Sequence, residues 1–365
     1  MAIVTLGDVA IESRETWKSD KNNIPIVGLE HLEPGEIYLS KWDINSDNTF
    51  TKMFRKGQVL LGRRRVYLRK AVIAPTDGIC SGDITVIEAI PGKILPELLP
   101  FIIQNDRFFD YAMQGSAGSL SPRVKWEHLK EYKFQLPNQE EQKALVDKLW
   151  AAYNLKSSYN KLLAATDEIV KSQFIEMFKD LPINGKIEDL VERNIASVKK
   201  SYQSGDEIEY IDISSIDNTS NTVVETTKYE VASAPSRAQQ CVKNGDILVS
   251  TVRPINRNIA VVTSNLPNLV ASSGFCILRP KDGYREYLLS VVKSDAYTER
   301  MCDKASGGLY PAVNNSDVLS YGIHIPNKEL AQKVSSIYQQ ADKSKFELRK
   351  SIEAIDAVIK SLING

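Results

Sequence analysis

Histidine is scarce in this chain and cysteine is scattered. Three histidines and four cysteines (Cys80, Cys241, Cys276 and Cys302) occur in 365 residues, and no two cysteines stand at CxxC spacing. A zinc site needs such residues in clusters, and a disulfide framework needs many cysteines in a short chain, so neither is indicated. Net charge is also lacking, with Lys+Arg and Asp+Glu at 46 each. Nucleic-acid binders often carry excess positive charge, so a binding surface here has to come from basic residues gathered on one face. No apolar run approaches the ~20 residues of a membrane span, and Met1 to Leu6 leads into folded-looking sequence without a basic head or cleavage site. A cytoplasmic protein is expected. Glycine-rich phosphate loops, a GxSxG elbow and an Asn-Pro-Pro-aromatic run are all missing. Glu141-Gln142-Lys143 is the nearest approach to a nuclease ExK, but it falls in the first turn of a predicted helix without a strand-borne acid to share a metal. Nothing in the sequence points to catalysis by this chain alone.

Two long helical runs are present instead. The first opens at Leu136-Pro137-Asn138, where Pro137 disfavours helix before it, Asn138 can cap, and Glu141 stands three residues on for a capping box. From there Leu149, Ala152, Tyr159, Leu163, Thr166, Val170 and Met177 recur at spacings of three and four, interrupted by Lys156 and Gln173, which predicts a coiled-coil seam. The second opens at Ile325-Pro326-Asn327 and carries Tyr338, Ala341, Leu348, Ile352, Ile355, Ile359 and Leu362 at heptad spacing, interrupted by Lys345. The runs superpose at a constant offset, with Asp167, Lys171 and Ser172 falling on Asp356, Lys360 and Ser361. Core helices of a bundle could show the same pattern, but the unbroken length favours a coiled coil. A helix of about 40 residues would reach about 60 Å, more than one globular core needs. Antiparallel pairing of two such helices would put two domains at opposite ends.

Each helix closes a globular segment. From Val4 to Leu136, short apolar runs (Ile24 to Leu29, Gln58 to Leu61, Ile84 to Ile87) are punctuated by Pro34-Gly35, Gly57, Asp77-Gly78 and Pro91-Gly92, which predicts strands and turns. Leu95 to Met113 then has helical spacing through Leu98, Ile102 and Phe109. From Lys186 to Ile325 the order repeats: Leu6-Gly7-Asp8-Val9 is echoed by Ile187-Glu188-Asp189-Leu190, and Lys56-Gly57-Gln58-Val59-Leu60 by Asn244-Gly245-Asp246-Ile247-Leu248. The expected fold is α+β, with two similar mixed α/β domains joined by two long antiparallel coiled-coil helices in an internal pseudo-twofold repeat. The expected boundaries are 1–136 and 181–325 for the domains, and 137–180 and 326–365 for the helices. A shared framework with divergent contents suggests one fold used twice on different things.

Basic residues concentrate after equivalent apolar runs. Arg63-Arg64-Arg65 follows Leu61-Gly62, with Tyr67, Arg69 and Lys70 beyond; the second domain offers Arg237, Arg253 and Arg257. Arginine forks can bind guanine edges and phosphates, and neighbouring aromatics can pack on bases or sugars. A solvated edge or structural ion pairs would use the same residues. The small-residue loops Gly115 to Arg123, including Ser119, and Ser306 to Pro311, including Tyr310, could offer backbone amides to phosphate or simply turn the chain.

These features resemble the specificity subunits of type I restriction-modification systems, over nearly the whole chain. The similarity is strongest in Tyr210-Ile211-Asp212-Ile213-Ser214-Ser215-Ile216-Asp217, in Ala234-Pro235-Ser236-Arg237-Ala238 and in Gly245 to Pro254. Leu136-Pro137 with Glu141-Gln142-Lys143 is similar to the start of that family's conserved helix, although Asn138 and Gln139 replace its Pro-Leu, and Phe174 to Phe178 resembles its end. The resemblance implies a non-catalytic, cytoplasmic subunit with two target-recognition domains, each reading half of a split, asymmetric sequence in double-stranded DNA. It implies two modification subunits as partners, and restriction subunits reached through them, with S-adenosylmethionine, ATP and Mg on those partners, none in this chain, and no membrane. DNA contact is expected from Arg63, Arg64, Arg65, Arg69, Ser119, Arg123, Arg237, Arg253, Arg257 and Tyr310. Subunit contact is expected from Leu149, Tyr159, Leu163, Val170, Leu348, Ile352, Ile355 and Ile359. A coiled-coil adaptor that binds only proteins is the alternative. A single-chain restriction enzyme would need motifs that are absent.

Overall fold

The computed structural model describes residues 2–116, 121–218 and 220–364. It divides into two compact units, Met1–Asn160 with Arg349–Gly365, and Lys161–Leu348. Both long helices are therefore cut by the division, and each unit holds a segment of both. No helix among the described residues is long and apolar enough to cross a membrane.

In the first unit the strands Ala10–Glu12, Ile84–Ala89, Val59–Gly62 and Ala71–Ile73 form an antiparallel sheet in that order. A second sheet runs Asp43–Ile44, Pro25–Val27, Gly78–Cys80, Lys52–Phe54, its middle pair parallel. Alternation in the strand Val59–Gly62 explains the layering. Val59 and Leu61 face a core shared with the helices, while Leu60 faces the core shared with Phe54 and Cys80, so an uninterrupted apolar run is buried on both faces. The second unit repeats this device: Ile247 and Val249 face the helical core, and Leu248 packs with Phe275 and Ile277 on the other side. Its sheets run Ile216–Asp217, Thr222–Val223, Ile259–Val261, Ile247–Ser250, Phe275–Leu278, and Thr227–Glu230, Glu207–Ile211, Leu269–Ser272, Ala238–Cys241. The turn into the central strand is built the same way in both units. Gly57 and Gly245 take φ of 88° and 90°, a region that glycine enters without steric cost, and the next side chain, Gln58 or Asp246, accepts from the backbone of Arg55 or Lys243.

The single helix expected over Leu95 to Met113 is two helices, Leu99–Ile103 and Asp106–Gln114. Asn105 causes the break: its extended backbone and its side chain, which accepts from the Arg107 amide, start a new helix. Ser294 does the same in the second unit, between Arg285–Lys293 and Asp295–Lys304, by accepting from Tyr297.

The long helices run Gln139–Phe178 and Lys328–Asn364. The capping box is formed, with Asn138 Oδ1 accepting from the Glu141 amide at 3.0 Å and Glu141 Oε2 accepting from the Asn138 amide at 3.1 Å. In the first unit Lys156 meets Asp356 at 2.7 Å, while Glu141 and Leu145 share a cleft with Leu362 and Ile363. In the second, Asp167 meets Lys345 at 3.0 Å, while Met177 shares a groove with Leu330 and Ile337. Within each unit, numbers rise along one helix as they fall along the other, so the pair is antiparallel. The lysines that interrupt the heptads thus have a purpose. Each reaches an aspartate across the seam, and the two pairs are equivalent under the offset that relates the halves.

Two expectations about the seam need correction. Gln173 is exposed and Phe174 turns inward, because Phe174 and Phe178 pack on Tyr287, with ring centroids 5.8 and 5.0 Å away. Leu149 and Val170, expected at a subunit interface, are buried within the chain, Leu149 in the core beside Phe101 and Ile103. Tyr159, Leu163, Leu348, Ile352, Ile355 and Ile359 are half-buried. The outward apolar side chains are different ones: Leu155 and Val358 in the first unit, and Leu162, Ile169, Ile175 and Phe346 in the second.

Candidate nucleic-acid interface

The basic clusters fall on one kind of loop, built twice. In each unit it joins two antiparallel neighbours of the central sheet, Val59–Gly62 to Ala71–Ile73 and Ile247–Ser250 to Ile259–Val261. A short 3-10 turn, Val66–Leu68 or Pro254–Asn256, occupies the middle. Arg65 and Arg69 flank the first turn, both with φ of 52°, and Arg253 and Arg257 flank the second, with φ of 49° and 50°. Every other non-glycine residue with positive φ among the described residues is an asparagine, which tolerates that region. Four arginines in left-handed backbone, in two equivalent pairs, are a conformational cost carried twice. The same bonds hold both loops: the Arg65 amide donates to Pro122 O at 2.8 Å and the Arg253 amide to Pro311 O at 2.7 Å.

The arginine side chains separate by partner. Arg69 bonds Asp106 at 2.5 Å and Asp110 at 3.1 Å, and Arg257 bonds Asp295 at 2.7 Å. A lysine of a long helix completes each group, Lys360 on Asp106 at 3.0 Å and Lys171 on Asp295 at 2.9 Å. Lys360 and Arg69 hold the Asp106 carboxyl below the usual carboxylate range, and Lys171 and Arg257 do the same to Asp295. Arg69 and Arg257 therefore tie loop to helix and have their charge matched inside the chain.

Arg123 is matched too, gripping Asp83 with Nε at 2.7 Å and Nη2 at 3.3 Å, while Arg64 reaches the same carboxylate at 3.5 Å and Ser121 Oγ at 3.0 Å. The Arg123 fork, helped by Arg64 and Arg63, lowers the Asp83 pKa. The second unit has no acid at the corresponding place, where Phe275 follows Ser273-Gly274. Asp83→Asn should cost no more than about 1 kcal/mol near neutral pH, because both arginines are half-exposed and water screens the pair. Because the folded-state pKa is depressed, that stabilisation is full above about pH 4 and is lost as pH falls through the lowered value. Melting temperatures of wild type and variant should therefore converge in acid. A gap that stays constant from neutral pH to pH ~3 would show that charge is not what holds this node.

Four of the candidate arginines, Arg63, Arg65, Arg237 and Arg253, have no ion-paired carboxylate among the described residues. Arg65 and Arg253 are exposed, and Arg237 lies just before the strand Ala238–Cys241 of the other sheet, its carbonyl accepting from Ser273. Arg63 is held by its backbone between Asp83 and Val124, and its Nε is buried with no hydrogen-bond partner among the described residues. Arg253 lies 4.6 Å from the ring centre of Tyr310 and donates to Leu309 O at 3.2 Å. Tyr310 is carried on a small hairpin closed by reciprocal bonds between Ser306 and Ala312. Gly307 turns that hairpin with φ of 110°, where a Cβ would stand 3.1 Å from Tyr310 O. In the first unit Ser119 lies outside the described residues, so the loop Gly115 to Arg123 can be followed only at its ends.

Apolar side chains project beside these cations: Tyr67 at 51% exposed in the first unit, and Ile255 and Tyr310 at 67% and 64% in the second. A planar cation beside exposed rings and aliphatic groups suits a surface that meets bases as well as phosphates. The sequence shows the basic clusters but not the matching acids. Asp83, Asp106 and Asp295 carry no local signal of their own, although Asp106 and Asp295 obey the same offset as Lys171 and Lys360.

Comparison with known proteins agrees with this architecture. The family model for the type I restriction modification DNA specificity domain matches residues 1–165. The HindI specificity subunit of a type I restriction enzyme from Haemophilus influenzae is 30% identical over 140 residues, 37% of this chain and 30% of that protein. The EcoDI specificity subunit from Escherichia coli is 28% identical over 130 residues, 34% of this chain and 29% of that one. The matched segments thus span under a third of these relatives' own length. Among solved structures, one chain from work on complex assembly and conformational transition of the type I R-M system superposes with a TM-score of 0.55 at 18% identity, over 99% of this chain and 96% of that one. The S subunit of the type I restriction-modification system from M. genitalium gives 0.51 at 12% identity, over 100% and 95%. At these identities the likeness shows the fold. The comparisons therefore give similarity to a type I restriction modification DNA specificity domain over the first 165 residues, and the fold of such subunits along the whole chain.

Proposed function

We propose that this chain is the non-catalytic DNA-reading subunit of a type I restriction-modification complex, and that its two units read the two halves of a split, asymmetric target. The observation that supports this best is the duplicated loop. The backbone, with its paired left-handed arginines, is kept, while the turn between them changes from Val-Tyr-Leu to Pro-Ile-Asn. One frame with two different reading edges is what two different half-sites require. Two modification subunits dock on the helices through side chains left outward, Leu155 and Val358 in the first unit and Leu162, Ile169 and Phe346 in the second. S-adenosylmethionine, ATP and Mg belong to the partner subunits, and the balanced charge of this chain leaves part of the positive DNA channel to them as well. A protein-only adaptor has no use for carboxylate-free arginines on two equivalent loops.

Methylome sequencing of a host that carries the partner subunits, with and without this chain, tests the proposal. A split methylated motif that appears only with the chain is expected. Identical methylomes would refute it.

A further inference from the structure

We infer that Arg65 and Arg253 are the base-reading arginines of the two half-sites, and that Arg69 and Arg257 are positioning residues that fix the loop presenting them. This rests on the subunit function proposed above and assigns roles within it. Four observations converge. Arg65 and Arg253 are equivalent, each starting the 3-10 turn of its loop from left-handed backbone. Neither has a carboxylate partner among the described residues, whereas Arg64, Arg69, Arg123 and Arg257 are all matched by aspartates. Both stand beside exposed apolar side chains, Tyr67 and Leu68 in one unit and Ile255 and Tyr310 in the other, which suit base edges and thymine methyl groups better than phosphate oxygens. In addition, Tyr310 under the Arg253 guanidinium limits its rotation, so less freedom is lost when the fork binds.

The left-handed backbone supplies a substitution suited to the test. Asparagine adopts that region readily, so Arg65→Asn and Arg253→Asn remove the guanidinium while keeping the loop. The full chain, assembled with its modification subunits, is assayed by methylome sequencing in the host and by binding to duplexes that carry the wild-type motif or single mismatches. Arg65→Asn should relax one base position in one half of the motif and Arg253→Asn one position in the other. Each should lose about tenfold to a hundredfold in cognate affinity, and much less on the duplex mismatched at that position. Arg65→Lys and Arg253→Lys keep charge and stem but lose the fork, and should relax the same positions while leaving the salt dependence unchanged. These variants decide the matter should an asparagine variant misfold. An unchanged motif with unchanged selectivity overturns the assignment. So does equal weakening on every sequence with a shallower salt dependence, which is the behaviour of a phosphate contact. A wild-type chain that yields no split motif defeats the subunit reading itself, which is a different result.

Discussion

Asp246→Ala is expected to destabilise the second unit by about 3 to 5 kcal/mol, because it strands a buried cation. Asp246 is 1% exposed and Arg279, which grips it with Nε at 2.8 Å and Nη2 at 2.7 Å, is 12% exposed in its side chain. The same carboxylate accepts from the Lys243 amide at 2.9 Å, so one side chain closes the turn at Gly245 and neutralises the guanidinium. Alanine removes both at once, and the Arg279 guanidinium keeps only a 3.4 Å bond to Cys241 O. Asp246→Ala with Arg279→Met should recover part of the loss, since a buried pair replaced by apolar groups of similar volume is far less costly than a broken one. Chemical denaturation followed by far-UV circular dichroism measures this. The four tryptophans, Trp17, Trp42, Trp126 and Trp150, all lie in the first unit and give its transition separately. An unchanged midpoint for the single variant would mean that the pair carries no stability.

On the function proposed above, the stability of the second unit matters because its central strand, Ile247–Ser250, starts at this turn and ends at the loop that carries Arg253. Loosening one end of a four-residue strand buried on both faces would move the other. In the first unit Gln58 fills the same place as Asp246 but bonds Glu88 Oε2 at 2.8 Å, a milder arrangement whose loss should cost less.

The long helices and the repeat were legible in the sequence because both are periodic. Heptad spacing, the capping residues Asn138 and Asn327, and the glycine-led turns at Gly57 and Gly245 are local signals with one physical meaning each. Where the reading failed, a tertiary contact had overridden a local pattern. Leu95 to Met113 keeps helical spacing across Asn105, and only the side chain accepting from Arg107 shows that the helix restarts there. Gln173 continues the heptad on paper, but the packing of Phe174 on Tyr287 turns the helix face by one residue. The arginines were visible as clusters, yet their division into matched and unmatched was not, since Asp106 is 37 positions from Arg69 and Asp83 is 40 from Arg123. Left-handed backbone at arginine was equally invisible, because propensity assigns that region to glycine and asparagine.

The second large effect concerns specificity. The two loops proposed to read DNA belong to segments that keep their framework while changing their contents, so on that proposal each segment should carry half of the target independently. Replacing residues 186–325 with the equivalent segment of a type I specificity subunit exchanges the loop 251–258, the Tyr310 hairpin and the strands that support them. The turn at Gly245, the pairing of Gly185–Lys186 with Gly322–Ile323 and the seat for Phe174 and Phe178 are the features the donor segment must reproduce for the unit to fold. Both long helices stay as they are, so the partner docking proposed for them should persist and methylation should continue at a new sequence.

Methylome sequencing of a host that carries the partner subunits with either the wild-type or the exchanged chain is the direct test. One half of the methylated motif should change completely to that of the donor while the other half stays the same. A motif altered in both halves, or in neither, would contradict two units reading two half-sites.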